Sequence, residues 1–235
     1  MKHTLFIKDW LSSFLSLLFP RCCVVCGRPL AKGEECICTL CNIKLPRTNF
    51  HLQKDNPVER LFWGQIPLER ATSFFFYHKG SDFRLILHQL KYGGQKEIGA
   101  IMGRYMAAEL LSSNFFQGID VIIPVPLHKK KQKIRGYNQS EWIAHGISIV
   151  TGIPVDTESI LRKKNTDTQT RKSVFERREN VEGIFELQCP EPLAGKHILI
   201  VDDVLTTGST TVACASCLVN VEGIRISILT LAAVE

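Results

Sequence analysis

A chain of 235 residues can hold one α/β domain with an appendage or two small domains, and its 45% hydrophobic content gives an ordinary core and excludes a disordered chain. A formal net charge of +6 suits an anionic ligand without demanding one. Nine cysteines are present, and six of them (Cys22, Cys23, Cys26, Cys36, Cys38 and Cys41) fall within twenty residues. That clustering reads as metal binding in a reducing, cytoplasmic setting and argues against a disulfide framework spread over a secreted chain.

Residues 1–20 begin with an apolar run that resembles the core of a signal peptide. Lys8, Asp9, Ser12, Ser13 and Ser16 fall on one helical face, and Ile7, Trp10, Leu11, Phe14 and Leu18 on the other. This is the period of an amphipathic helix, too short to span a bilayer and without a small-residue cleavage site. No membrane span is expected.

Residues 21–46 form a cysteine module. Cys23-Val-Val-Cys26 and Cys38-Thr-Leu-Cys41 are two CxxC pairs at a spacing that closes a tetrahedral thiolate site around a structural zinc. Gly27 and Asn42 follow the two pairs, where a tight knuckle favours residues that tolerate positive φ. Cys22 and Cys36 do not fit the spacing. A closed four-thiolate site leaves no open coordination position, so no catalysis is expected there.

Residues 47–70, with Pro57 and Pro67 and little periodicity, read as a linker, and residues 71–235 as the main domain. Within it strands are expected over 71–78, 120–126, 197–203 and 224–233, and helices over 83–94, 97–113, 139–151 and 208–221. Aliphatic strands alternating with helices imply a parallel sheet covered on both faces. The pair Cys214/Cys217 falls inside the last expected helix and reads as small packing residues.

The chemistry concentrates at "ILIVDDVLTTGSTT", residues 198–211. A strand apolar on both faces ends on Asp202 and Asp203, and ligands of open α/β sheets bind beyond the carboxyl ends of strands. The following loop carries Thr206, Thr207, Gly208, Ser209 and Thr210 into a helix. Backbone N–H groups there hold phosphate with help from the helix dipole, and Gly208 permits close approach. The aspartates would repel a phosphate but accept hydrogen bonds from ribose hydroxyls. The stretch is therefore suited to a ribose 5-phosphate.

Between His128 and Arg135 lie Lys129, Lys130, Lys131 and Lys133 with no acidic residue. This run follows the strand at 120–126 and would overhang the same sheet edge. It reads as a hood that balances pyrophosphate charge, or as a track for single-stranded nucleic acid with Tyr137 as a stacking platform, or as a solvated charge run. Arg162, Lys163, Lys164, Arg171, Lys172, Arg177 and Arg178 form a second basic zone mixed with acidic residues.

The segment 198–210 resembles the phosphoribosyl pyrophosphate (PRPP) motif of type I phosphoribosyltransferases: four hydrophobic residues, two acidic ones, then a Thr/Gly/Ser loop. With the four-cysteine module before it, and with "LKYGG", "PVPLHKKKQKIRGYNQ", "RKKNTDTQ" and "RRENVEGIF" in order, the chain resembles the ComF family of competence proteins. The resemblance covers essentially the full length, with Lys131 where an arginine is more usual. It implies a type I phosphoribosyltransferase core after a zinc module, and a role in natural transformation beside other competence proteins. It also implies PRPP and Mg²⁺ at Asp202, Asp203, Lys131 and residues 206–210, with Asp202, Asp203 and Arg135 as the catalytic candidates. In purine-salvage members of the fold an aspartate stands where this chain has Thr206, which counts against purine-base salvage. Two functions stay open: phosphoribosyl transfer, and non-catalytic binding of single-stranded DNA through the same pocket and hood.

Overall fold

The computed structural model describes residues 20–163 and 183–234. The segment 1–19, where an amphipathic helix is expected, lies outside the described residues, as do residues 164–182, which carry most of the second basic zone.

Four strands form one parallel sheet: β1 (Leu68–Tyr77), β2 (Val121–Pro124), β5 (His197–Leu205) and β6 (Arg225–Val234), in the order β1-β6-β5-β2. Alternation along the strands divides the core in two. Ile122, Leu199, Val201 and Leu229 face one side, while Val121, Ile123, Ile198, Ile200 and Ile228 face the other. Every one of these side chains is buried, so the strands read as unbroken aliphatic runs. A small antiparallel ribbon of β3 (Ile160–Arg162) and β4 (Phe185–Leu187) lies apart, and its three-residue strands are too short to give a sequence signal.

The first face is covered by α4 (Glu97–Leu110) and α6 (Gln139–Thr151), through Met102, Met106, Ile143 and Ile147. These helices touch closely: a Cβ on Gly103 would meet the carbonyl oxygen of Ile143 at 2.3 Å. Ahead of them, α3 (Arg84–Tyr92) buries Ile86, Leu87 and Leu90. On the second face α7 (Ser209–Ser216) buries Cys214, which is fully enclosed, with Cys217 as the residue that ends the helix. Both are packing residues, as expected.

The cysteine module is continuous with the first core. Cys23, Ile37, Cys41 and Leu45 share a cluster with Met102 and Phe74. Arg47 and Glu109 pair at 3.1 Å across the boundary, and Arg104 pairs with Glu35. Residues 47–67 are also packed. The short helix α2 (Pro57–Arg60) starts on a reciprocal cap between Asn56 and Glu59, and Val58, Phe62 and Ile66 enter the second core. The cap signature Asn-Pro-Val-Glu is local chemistry that a search for periodicity passes over.

The basic run is not an irregular loop. Residues Lys129–Arg135 form α5, capped by the His128 side chain, which accepts from the Lys130 N–H at 3.2 Å, and ended by Gly136 at φ 82°. Lys131 and Arg135 are half-buried, whereas Lys129, Lys130 and Lys133 are exposed.

Candidate functional site

Three elements meet at the carboxyl end of β5. The strand itself continues through Asp202 and Asp203 to Leu205, two residues further than expected. Ser140, at the start of α6, donates from Oγ to Asp202 Oδ1 at 2.9 Å. The backbone N–H of Asp203 donates to the same oxygen at 2.8 Å. Lys91, near the end of α3, places Nζ 3.0 Å from Asp203 Oδ2. Asn138 holds α6 in place: its Oδ1 caps the helix at Ser140 N–H, and its amide donates to the Val125 carbonyl at the end of β2.

The two carboxyls are not equivalent. Burial, and then the adjacent Asp203 charge, push the Asp202 carboxyl up to about 7, against its hydrogen bonds from Asp203 N–H and Ser140 and the pull of Lys91. Arg162 feels the Asp202 charge and lies over the Phe185 ring at 5.2 Å. Burial lowers its guanidinium below the usual arginine range, and the Asp202 charge works against that fall.

Beyond Leu205 the chain turns into α7. Gly208 stands before the first helical residue at φ 74°, a left-handed conformation in which a side chain is strained. It is also crowded, since a Cβ there would lie 3.1 Å from Phe62 Cε1. Phe62 thus forms the floor of the loop from the second core. Thr206, Thr207 and Thr210 are exposed, and Thr207 Oγ1 lies 2.9 Å from Ser209 Oγ. The loop presents hydroxyls at the amino end of a helix, which suits an anion.

Arg135 connects α5 to this region. Its guanidinium donates to Gln139 Oε1 at 2.8 Å and stacks 5.5 Å from the ring centre of Tyr92, the neighbour of Lys91. Tyr137 does not supply the exposed platform expected of it. Its ring is buried, and its hydroxyl donates to the Leu90 carbonyl at 2.6 Å. The exposed aromatic is Tyr92, which also packs against His88 with ring centres 5.4 Å apart. Sequence reasoning passes over Lys91 and Ser140 as site residues, although both lie within or beside the segments "LKYGG" and "RGYNQ" that carry the resemblance. A side chain that reaches across from another helix leaves no local pattern to count.

In the cysteine module Cys23, Cys26, Cys38 and Cys41 bring their sulfurs within 4.8 Å of one another. Cys38 caps α1 (Thr39–Lys44), so the second pair is read off a helix start. Gly27 takes φ 71° as expected; Asn42 does not, because it is helical. Burial opposes ionisation of Cys23, but the N–H groups of Cys26, Cys38 and Val25 outweigh it and bring the thiol down to about 7. Four converging thiols, one already inclined to ionise, fit a structural zinc. Cys36 points away, toward Met102 Sδ at 3.9 Å, and burial pushes its thiol up to about 12. Cys22 is exposed and outside the cluster. Both stand apart from the four-cysteine cluster, as the spacing indicates.

A cavity of about 300 Å³ between Phe50, His51, Asn114 and Gln117 opens near the amino end of β1. It lies at the amino end of the edge strand β1, whereas Asp202 and Asp203 stand at the carboxyl end of the interior strand β5, and its Arg70 is occupied by the carbonyls of Asn114, Phe115 and Gln117.

Over 219 residues the chain is 33% identical to the DNA utilization protein YhgH of Escherichia coli O157:H7, covering 87% of this chain and 93% of that one. It is 25% identical to the competence protein ComFC of Bacillus subtilis, over 90% of this chain and 83% of the relative. The chain belongs to the ComF family. A shorter match of 92 residues, at 38% identity, joins it to competence protein F of Haemophilus influenzae, covering 39% of this chain and 40% of that one. No family model matches the chain. Solved structures with some likeness include adenine phosphoribosyltransferase from Leishmania tarentolae, at 10% identity and a TM-score of 0.38 over 80% of this chain and 94% of that one. Glutamine PRPP amidotransferase from Bacillus subtilis gives 19% identity and a TM-score of 0.35, over 57% of this chain and 26% of that one. This ComF chain combines a parallel sheet flanked by helices with a four-cysteine cluster near its amino end. Among the described residues no helix is long and apolar enough to cross a membrane.

Proposed function

We propose that the chain is a cytoplasmic ComF-type protein of DNA uptake or utilisation that binds PRPP, or another ribose 5-phosphate ligand, at the end of β5. The observation that carries this is the pairing of two carboxyls, Asp202 and Asp203, with a hydroxyl-rich loop whose Gly208 is held left-handed at the start of α7. The loop takes the 5-phosphate and the carboxyls take the ribose hydroxyls.

On this reading the reaction class is substitution at ribose C1. An acceptor nucleophile forms the new bond to C1, the C1–O bond breaks, and pyrophosphate leaves with the electron pair while the acceptor gives up its proton. Lys131 and Arg135 balance the charge of the leaving group. Mg²⁺ carried by the diphosphate would neutralise the leaving oxygens, and Asp202 and Asp203 are the carboxylates at this site that would hold it. Zinc in the cysteine module has a structural part.

The test is calorimetric titration of PRPP with and without Mg²⁺. Asp203→Asn should weaken binding by about 1–3 kcal/mol, the loss of a charged hydrogen-bond partner. Unchanged affinity in that variant would refute the pocket assignment.

A second reading, single-stranded DNA binding at the same edge, is favoured by one feature. Helix α5 exposes Lys129, Lys130 and Lys133 beside Tyr92, an exposed ring with Arg135 stacked on it. A labelled oligonucleotide competing with PRPP would support shared use of the pocket.

A further inference from the structure

The ion pair between Lys91 and Asp203 has a consequence beyond the reading above, on which it rests. Two positively polarised regions flank the carboxyl pair. One is the loop 206–210 at the start of α7. The other is Lys91 itself, with Arg135 at the end of the basic helix behind it, because Arg135 stacks on Tyr92 and the Tyr137 hydroxyl is tied to the Leu90 carbonyl. A ribose held by the carboxyls with its 5-phosphate in the loop therefore turns its other end, carrying C1, toward Lys91. We infer that Lys91 is the residue by which this site selects a sugar phosphate bearing a second anion at C1 over ribose 5-phosphate itself.

The physical reason is exchange of partners. Lys91 and Asp203 are both largely withdrawn from water, with side-chain exposures of 23% and 13%. A neutral ribose hydroxyl by itself gives the ammonium no new partner that would draw it away from Asp203. A diphosphate at C1 can receive the ammonium, while the ribose hydroxyls satisfy the carboxylate that it leaves. A ligand with only the 5-phosphate leaves Lys91 where it is and gains nothing from it. The adjacent Gly93 and Gly94 end α3 and give Lys91 a short terminal turn on which to shift.

The experiment uses the full zinc-loaded chain, with PRPP, ribose 5-phosphate and inorganic pyrophosphate titrated into wild type, Lys91→Gln and Lys91→Arg. In Lys91→Gln, PRPP affinity should fall about 10- to 100-fold, the effect of a charged hydrogen-bond partner, while ribose 5-phosphate should move less than about fivefold, as expected of a partly exposed pair. Pyrophosphate should weaken with PRPP, and Lys91→Arg should restore most of the preference. Equal losses for PRPP and ribose 5-phosphate would make Lys91 a structural prop and overturn the inference. Unchanged PRPP affinity would overturn it too. If wild type bound neither sugar phosphate, the ribose pocket itself would be refuted, and the inference with it.

Discussion

Ser140 Oγ donates to Asp202 Oδ1 at 2.9 Å, so the strand carboxyl that burial pushes up to about 7 is held by a residue of helix α6. In the unfolded chain this carboxyl titrates near its ordinary value, well below 7. The folded state therefore binds the proton more tightly than the unfolded state does between roughly pH 4 and 7. Stability contributed by this group is present at low pH and is lost as pH rises through 7. Asp202→Asn keeps an oxygen to accept from Ser140 and cannot ionise. We expect the ligand-free variant to unfold later than wild type at pH 8, by roughly 1–3 kcal/mol, and to differ little at about pH 4. Thermal unfolding at the two pH values checks this; an advantage that is the same at both would place the raised value elsewhere. Because ribose hydroxyls donate to the ionised form, ligand affinity of wild type should rise over the same interval, and that rise should vanish in the variant.

Gly208 and Phe62 should be coupled. Gly208→Ala places a side chain at φ 74° and 3.1 Å from the Phe62 ring. The left-handed backbone alone costs about 1–2 kcal/mol. The remainder depends on whether the ring can move. Phe62→Leu, measured alone and with Gly208→Ala, isolates that part as a double-mutant cycle. We expect the double variant to be more stable than the sum of the singles. Strict additivity would show that the loop yields and the floor does not matter.

For the cysteine module the expected content is one zinc per chain. Cys38→Ser should lose the metal and lower solubility, since four thiolates are needed to close the site. Cys36→Ser should keep it, because Cys36 faces Met102. After chelation, a thiol-alkylating probe at pH 7.5 should label Cys23 before Cys36, whose buried thiol stays protonated. Full zinc in Cys38→Ser would move the ligand set.

The parts of this molecule that repeat a pattern are legible in its sequence, and the parts that depend on one reach across space are not. The strands β2, β5 and β6 are runs of aliphatic residues with both faces buried, and a run of that kind suits a central parallel strand better than any amphipathic element. The four-cysteine cluster is legible for a related reason, since each CxxC is its own local geometry. Lys91 and Ser140 give no such signal: each acts on a carboxyl that belongs to another element. Tyr137 shows the converse error. It sits in a basic segment, where an aromatic suggests stacking, but Asn138 ties that segment to β2 and turns the ring inward. Residues 47–70 lack periodicity because α2 is a single capped turn, and its burial comes from Val58, Phe62 and Ile66 meeting a sheet made of distant strands.

The last prediction concerns the basic helix. Lys129, Lys130 and Lys133 are exposed and can be changed to alanine together without loss of helix, since alanine is the best helix former. Lys131 is half-buried and is left in place. If α5 tracks a single strand, each lysine neutralises one phosphate, and the log of affinity falls against log salt by about 0.7 for each contact. The triple variant should therefore flatten the slope by about two units. Tyr92→Ala should weaken oligonucleotide binding by about 1–3 kcal/mol at fixed salt, the effect of losing one stacked base. Tyr137→Phe should leave binding unchanged, because its hydroxyl is engaged by Leu90 within the protein. Fluorescence anisotropy of a labelled oligonucleotide over a salt series measures all three. A slope that stays the same in the triple variant, with Tyr92→Ala also silent, would remove α5 from any nucleic-acid surface and leave its charge to the diphosphate.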